Sequence, residues 1–142
     1  MVENSLHVRQ RMVSMTEAWC KLWRWTTQGR ASRSEYWFVQ LWTFIITTAV
    51  EILIGISTAL GDPLILTLLM IPISIFLFIV SLLVFLLSIR RLHDTGRSGW
   101  WVLISLIPLV GPITLLVFLC MASEPVDNRF GEVPNLVIDE VI

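Results

Sequence analysis

Residues 63–89 read PLILTLLMIPISIFLFIVSLLVFLLSI, a run of 27 residues without a charge. A helix needs about 20 apolar residues to cross the roughly 30 Å hydrocarbon core of a bilayer. Backbone in lipid must satisfy its own hydrogen bonds, which restricts spanning segments to helices and closed barrels. Because the run lacks the alternating pattern of a barrel strand, it predicts a transmembrane helix.

Two further apolar runs flank this segment. Residues 36–60 read YWFVQLWTFIITTAVEILIGISTAL, in which only Glu51 is charged, and residues 100–121 read WWVLISLIPLVGPITLLVFLCM, without a charge. The charged share of 15% is also well below the roughly 25% of soluble domains. The sequence therefore predicts an all-α membrane protein with three transmembrane helices, the first two forming an antiparallel hairpin.

Prolines interrupt the apolar runs, and each removes a backbone hydrogen bond and can kink its helix. They are Pro72, Pro108 and Pro112. The segment PLVGP at 108–112 is where a broken or re-entrant third helix is expected. With three full crossings, the polar C-terminal tail at 122–142 lies on the opposite side of the bilayer from the N-terminus. A complete break instead returns this tail to the side that it left.

Basic residues and tryptophans gather on one predicted side. With three crossings, only Arg129 of the ten Lys and Arg lies away from the N-terminal side, which the positive-inside rule assigns to the cytoplasm. The nine others are Arg9, Arg11, Lys21, Arg24, Arg30, Arg33, Arg90, Arg91 and Arg97. Indole rings favour the headgroup level. We expect interface anchors at Trp19, Trp23, Trp37, Trp100 and Trp101.

The part before the first span divides into a flexible segment at 1–14 and an amphipathic helix at 15–28. Apolar and basic side chains fall on opposite faces of this helix, as in helices that lie in the membrane interface. The apolar face comprises Met15, Ala18, Trp19, Leu22 and Trp23. A second interpretation packs that face against another protein.

Two polar segments carry the candidate site, GRASRSEYW at 29–37 and RRLHDTGRSGWW at 90–101. In the first, Ser32 and Glu35 form a capping box that starts span one. Both segments enter a membrane helix from the same predicted side, so we expect them to form one polar cap with paired opposite charges. Its expected members besides the arginines are Glu35, His93, Asp94 and Ser98.

Three roles for these segments remain open. They serve topology alone, they bind a phosphate-bearing group, or they carry catalysis by a pair formed by His93 and Asp94. Guanidinium groups match phosphate geometry, and the candidate arginines are Arg30, Arg33, Arg90, Arg91 and Arg97. Adjacent residues do not orient one another as an acid–base dyad does, and no nucleophile is evident. We therefore assign no catalytic residue, no metal site and no cofactor.

Glu51 is the one charge inside a predicted span. An ionisable residue at this depth is costly and marks function when it faces a bundle interior or water. The alternative is that the carboxyl is protonated, or that it hydrogen-bonds to Thr47, Thr48 or Ser57. Both interpretations remain open for this intramembrane carboxylate.

The two polar segments, IPLVGP at 107–112 and DNRFGEVP at 127–134 together resemble the bacterial family named domain of unknown function 805. The resemblance covers about residues 16–134. It implies a small multi-pass protein of the bacterial inner (plasma) membrane, and it implies no reaction. The tail after Pro134 lies outside the family's pattern.

We expect a non-enzymatic inner-membrane module whose basic cytoplasmic cap binds anionic lipid or a protein partner. One alternative is a membrane enzyme acting on a phosphate-bearing lipid. The other is an oligomeric channel or transporter subunit that uses Glu51. The expected partners are the lipid bilayer and possible further copies of the chain, without nucleic acid.

Overall fold

The computed structural model describes residues 7–60 and 63–139. Helices dominate this part of the chain, and two of them are long: α2 has 28 residues and α3 has 32. The elements in chain order are β1 His7–Gln10, α1 Met15–Leu22, α2 Arg33–Leu60, α3 Pro63–Asp94, a 3₁₀ helix Gly99–Leu106, α4 Val110–Cys120 and β2 Leu136–Asp139. Of the segment predicted as flexible, residues 1–6 lie outside the described part, and β1 occupies part of the remainder.

The two long helices have the properties of membrane spans. Arg33–Ala59 and Met70–Asp94 are long and apolar enough to cross a bilayer. Only 6% and 17% of the residues in their most apolar windows are buried, whereas the core helix of a soluble protein is mostly buried. The all-α fold class is thus confirmed in a coarser form, with two candidate spans where three were predicted.

The start of α2 and the end of α3 lie side by side, as in the predicted hairpin. The Ala31 amide donates to the Arg90 carbonyl over 3.1 Å. The buried apolar residues also concentrate near this end, including Tyr36, Val39, Leu87 and Leu92. We call it the cap end of the hairpin.

The third apolar run does not form one long helix. Its α-helical part, α4, has 11 residues and a length of about 16 Å, roughly half the hydrocarbon core. Before it, the Val110 amide donates to the Pro108 carbonyl over 2.8 Å, and Leu109 adopts φ 66° and ψ −59°. This is a tight γ-turn, and it reverses the chain inside the predicted span. A single third crossing is therefore not confirmed.

Both ends of the third run lie at the cap end. The 3₁₀ helix begins shortly after α3, and beyond α4 the Glu124 amide donates to the Asp94 carbonyl over 2.9 Å. Arg91, in the last turn of α3, donates to the carbonyls of Leu119 and Met121. The tail therefore returns to the end that it left, as expected for a broken third helix and not for three crossings.

Helix α1 is shorter than the predicted helix at 15–28 and packs against α2. Ala18 and Leu22 are buried, and the rings of Trp19 and Trp42 lie 6.2 Å apart. On the other side of α1, a hydrogen bond from Lys21 lowers the pKa of the Glu17 carboxyl. Part of the predicted apolar face is thus covered by the protein's own second helix, and the interfacial position of α1 stays a prediction.

A two-stranded antiparallel sheet, not predicted from the sequence, joins the N-terminal arm to the tail. In it Val8 lies opposite Ile138 and Gln10 opposite Leu136. Beside the sheet, the Lys21 ammonium donates to the Asn135 side-chain oxygen over 2.8 Å. Both terminal segments are therefore held at the cap end.

Candidate functional site

The polar cap consists of five buried ionisable side chains at the cap end: Arg30, Glu35, Arg90, Arg91 and Asp94. The segment before α2 supplies Arg30, the first turn of α2 supplies Glu35, and the last turns of α3 supply the other three. Cations at the end of a helix interact favourably with its dipole, which suits both arginines of α3. The structure thus brings the two polar segments together.

Asp94 is the centre of the cap, and its carboxylate is fully buried. One oxygen, Oδ1, accepts from Arg30 Nε over 3.0 Å. The other, Oδ2, accepts from Arg91 Nη1 and from the Ser123 hydroxyl. A carboxylate shared by two guanidiniums is a charge-assisted arrangement, and here it joins three separate segments of the chain.

The same arginines hold the tail through its backbone. Arg30 donates to the Glu124 carbonyl over 2.6 Å and to the Val126 carbonyl over 2.8 Å. Arg91 donates through Nε to the Leu119 carbonyl over 3.0 Å. Arg30 and Arg91 therefore have their donors occupied by the protein itself.

Glu35 and Arg90 form a second buried ion pair in the cap, with 3.7 Å between Oε1 and Nη2. Ser32 caps α2 as predicted, because its hydroxyl accepts from the Glu35 amide over 3.3 Å. The reciprocal half of the capping box is absent among the described hydrogen bonds, since the Glu35 carboxylate faces Arg90. Pairing of a buried charge takes precedence here over the local cap.

His93 and Asp94 do not form an acid–base pair, because their side chains have different partners. The His93 ring stacks on Phe130, with centroids 3.9 Å apart and planes 1° from parallel. Its Nδ1 lies 3.3 Å from the Gly29 carbonyl oxygen. This geometry gives His93 a packing role and gives the catalytic alternative no support.

The arginines predicted to bind phosphate divide into two groups. Arg30, Arg90 and Arg91 are buried within the cap, whereas Arg33 is exposed and Arg97 is half-buried. The Arg97 guanidinium lies over the Phe118 ring, 4.2 Å from its centroid. Phosphate binding stays a prediction. Of the predicted arginines, Arg33 and Arg97 are the ones that remain accessible to a ligand.

Ser98 occupies the N-cap position of the 3₁₀ helix without a side-chain capping bond.

The tryptophans predicted as interface anchors are largely accessible. Four of them are exposed, namely Trp23, Trp37, Trp100 and Trp101, and Trp19 is half-buried. Their position at a membrane interface remains a prediction.

Glu51 is exposed on α2, next to the exposed apolar residues Ile52 and Leu53. The hydroxyls of Thr47 and Ser57 donate to carbonyls of their own helix. In the described part of the chain no hydrogen bond or ion pair joins Glu51 to another side chain. The described part of one copy of the chain therefore encloses no interior around this carboxylate.

Sequence reasoning missed the residues that the tail contributes to the cap. Asn128 donates to the His93 carbonyl over 2.9 Å and to the Glu124 carboxylate over 2.6 Å. Asn135 donates to the Ser32 hydroxyl over 3.1 Å. For Asn128 the available signal was DNRFGEVP at 127–134, which supported the family resemblance but whose position against the cap was not predicted.

Comparison with known proteins gives two similar relatives from Escherichia coli strain K12. Inner membrane protein YhaH is 40% identical over 116 residues, which cover 77% of this chain and 87% of the relative. Inner membrane protein YhaI is 38% identical over 109 residues, which cover 75% of this chain and 84% of the relative. No solved structure matches the chain. The family model for proteins of unknown function DUF805 matches residues 24–132, and the chain belongs to this family.

Proposed function

We propose that the chain is a non-enzymatic, multi-pass protein of the bacterial inner membrane that binds anionic lipid at its cytoplasmic face. The names of its relatives support the location. The two long helices with exposed apolar surfaces support two crossings. In place of a third crossing, we propose that the 3₁₀ helix and α4 enter one leaflet and return.

This topology gathers the basic residues more completely than three crossings do. Arg129 lies over the Phe130 ring, 4.7 Å from its centroid, and that ring stacks on His93 at the cap end. Arg129 therefore joins the side of the other nine Lys and Arg. By the positive-inside rule, this distribution favours a cytoplasmic cap and a cytoplasmic N-terminus.

The observation that carries the lipid proposal is the division between occupied and accessible arginines. Carboxylates and carbonyls of the protein occupy the donors of Arg30 and Arg91, and the third buried arginine, Arg90, pairs with Glu35. Arg24, Arg33 and Arg129, which we call the rim arginines, are exposed, and the exposed Trp23 and Trp37 lie close to Arg24 and Arg33 in the chain. Each basic residue near an anionic membrane surface contributes about 1 kcal/mol of attraction. A rim of cations and indoles matches an anionic headgroup layer.

Lipid retention by the full-length protein tests this proposal. After purification in mild detergent with equimolar phosphatidylglycerol and phosphatidylcholine, we expect the wild type to retain several-fold more phosphatidylglycerol. Changing the three rim arginines to glutamine is expected to remove most of this preference. Changing them to lysine preserves the charge and is the matched control. Equal retention of the two lipids by the wild type would contradict the proposal.

A further inference from the structure

A cavity of about 490 Å³ opens beside the first turns of α2, between the segment after β1 and the end of α4. Its wall has two parts. Arg11 and Arg33 line it near the start of α2, and Trp37 lines it one helical turn further along α2. Both arginines and the indole are exposed. The cavity is therefore cationic at the start of the span and apolar further along it.

The donors in this wall are available to a ligand. In the described part of the chain, no hydrogen bond or ion pair occupies Arg33. Arg11 pairs with Glu17 at 3.0 Å, but this pair is at the surface, where ion pairs are weak. Gln10 also lines the cavity, and its buried Nε2 has no acceptor among the described residues. These groups differ from Arg30 and Arg91 of the cap, whose donors the protein itself occupies.

We propose that this cavity binds the phosphate of an anionic phospholipid from the surrounding bilayer. The inference rests on the proposed function and names its site. Arg33 and Arg11 bind the phosphate oxygens, because guanidinium forks match their geometry. Trp37 contacts the glycerol and the start of an acyl chain, as amphipathic rings do at the headgroup level. A soluble phosphate ester also carries a phosphate, but it has no acyl chain to contact Trp37. We therefore assign the site to a lipid.

The chain carries its own probe and control for this site. Cys120 lines the cavity, whereas Cys20 lines a different one with Trp19 and Trp42. Both cysteines are free and exposed. Two full-length variants, Cys20→Ser and Cys120→Ser, each leave one thiol for labelling by a maleimide. Their labelling rates are measured in phosphatidylcholine nanodiscs with increasing phosphatidylglycerol.

We expect phosphatidylglycerol to slow the labelling of Cys120 and to leave the rate at Cys20 unchanged. Arg33→Gln is expected to raise the phosphatidylglycerol fraction needed for half protection about fivefold, the effect of one basic residue near an anionic surface. Arg11→Gln should act in the same direction. Arg33→Lys is the control, since it keeps the charge of the cavity wall. Circular dichroism checks that each variant keeps its helices.

Three results would overturn the inference: protection of Cys120 that Arg33→Gln leaves unchanged, equal protection of Cys20, or no protection. Protection by soluble glycerol phosphate in pure phosphatidylcholine nanodiscs would reassign the site to a free phosphate ester. If the wild type still retains phosphatidylglycerol but Cys120 is not protected, this inference fails alone. If no lipid preference exists, the proposed function fails with it.

Discussion

Asp94→Ala is expected to lower the free energy of unfolding by about 3–5 kcal/mol, the usual cost of removing one partner from a buried ion pair. The carboxylate and the guanidiniums of Arg30 and Arg91 are all fully buried. Without Asp94, two buried cations lose their only carboxylate partner in the described part of the chain. Thermal or denaturant unfolding of the full chain in detergent measures the change.

The matched control is Glu132→Ala, because Glu132 is exposed and lies on the same tail. It is expected to leave stability nearly unchanged, as most surface substitutions do. Asp94→Asn keeps a hydrogen-bond acceptor but removes the charge, and we expect an intermediate loss. If Asp94→Ala unfolds at the same midpoint as Glu132→Ala, the cap does not hold the tail as described.

Gly111→Ala is expected to lower the free energy of unfolding by about 1–3 kcal/mol, the typical cost of overpacking. A Cβ at this position would lie 2.8 Å from the Ile104 carbonyl carbon and closer still to its oxygen. These are backbone atoms of the 3₁₀ helix, so they cannot move aside as a flexible side chain does. The substitution therefore forces α4 away from the 3₁₀ helix. Unfolding midpoints measure the loss of stability, and limited proteolysis of the tail measures the displacement of α4.

Gly55→Ala provides the control for Gly111→Ala. Gly55 lies within α2, and a Cβ there would meet no atom of the described residues within 4 Å. Alanine has the higher helix propensity, by about 1 kcal/mol, so this variant should be as stable as the wild type or more so. If the two variants behave alike, the close return of α4 onto the 3₁₀ helix is wrong.

The sequence was sufficient for the features that depend on local pattern. The uncharged run at 63–89 lies within α3, and the capping serine Ser32 directly precedes α2. The PLVGP segment at 108–112 also marked where the third run reverses. Apolar length, caps and prolines act on neighbouring residues, so one stretch of sequence reveals them.

The features that the sequence could not provide depend on contacts between distant residues. Whether PLVGP bends or reverses the chain depends on what holds the segment after α4. Arg91 and Asp94 hold that segment in the structure. The sequence predicts Arg91 as part of a phosphate site, because clustered arginines at headgroup depth fit that pattern, and predicts Asp94 only as a member of the polar cap. The burial of these two side chains depends on contacts with each other and with the tail, so it could not be predicted without knowing that the tail returns to the cap end. Arg33 remains a candidate for phosphate binding because its side chain is exposed in the structure.

The side of the membrane that the tail occupies is the central claim, and reporter fusions in cells test it most directly. Alkaline phosphatase needs disulfides and is active only outside the cytoplasm. Fused after the C-terminal residue Ile142, it is expected to be inactive, while a fluorescent protein at the same position should be fluorescent. Fused after Leu60, at the far end of α2, the phosphatase should be active. An active phosphatase and a dark fluorescent protein at Ile142 would contradict the returning tail and restore three crossings.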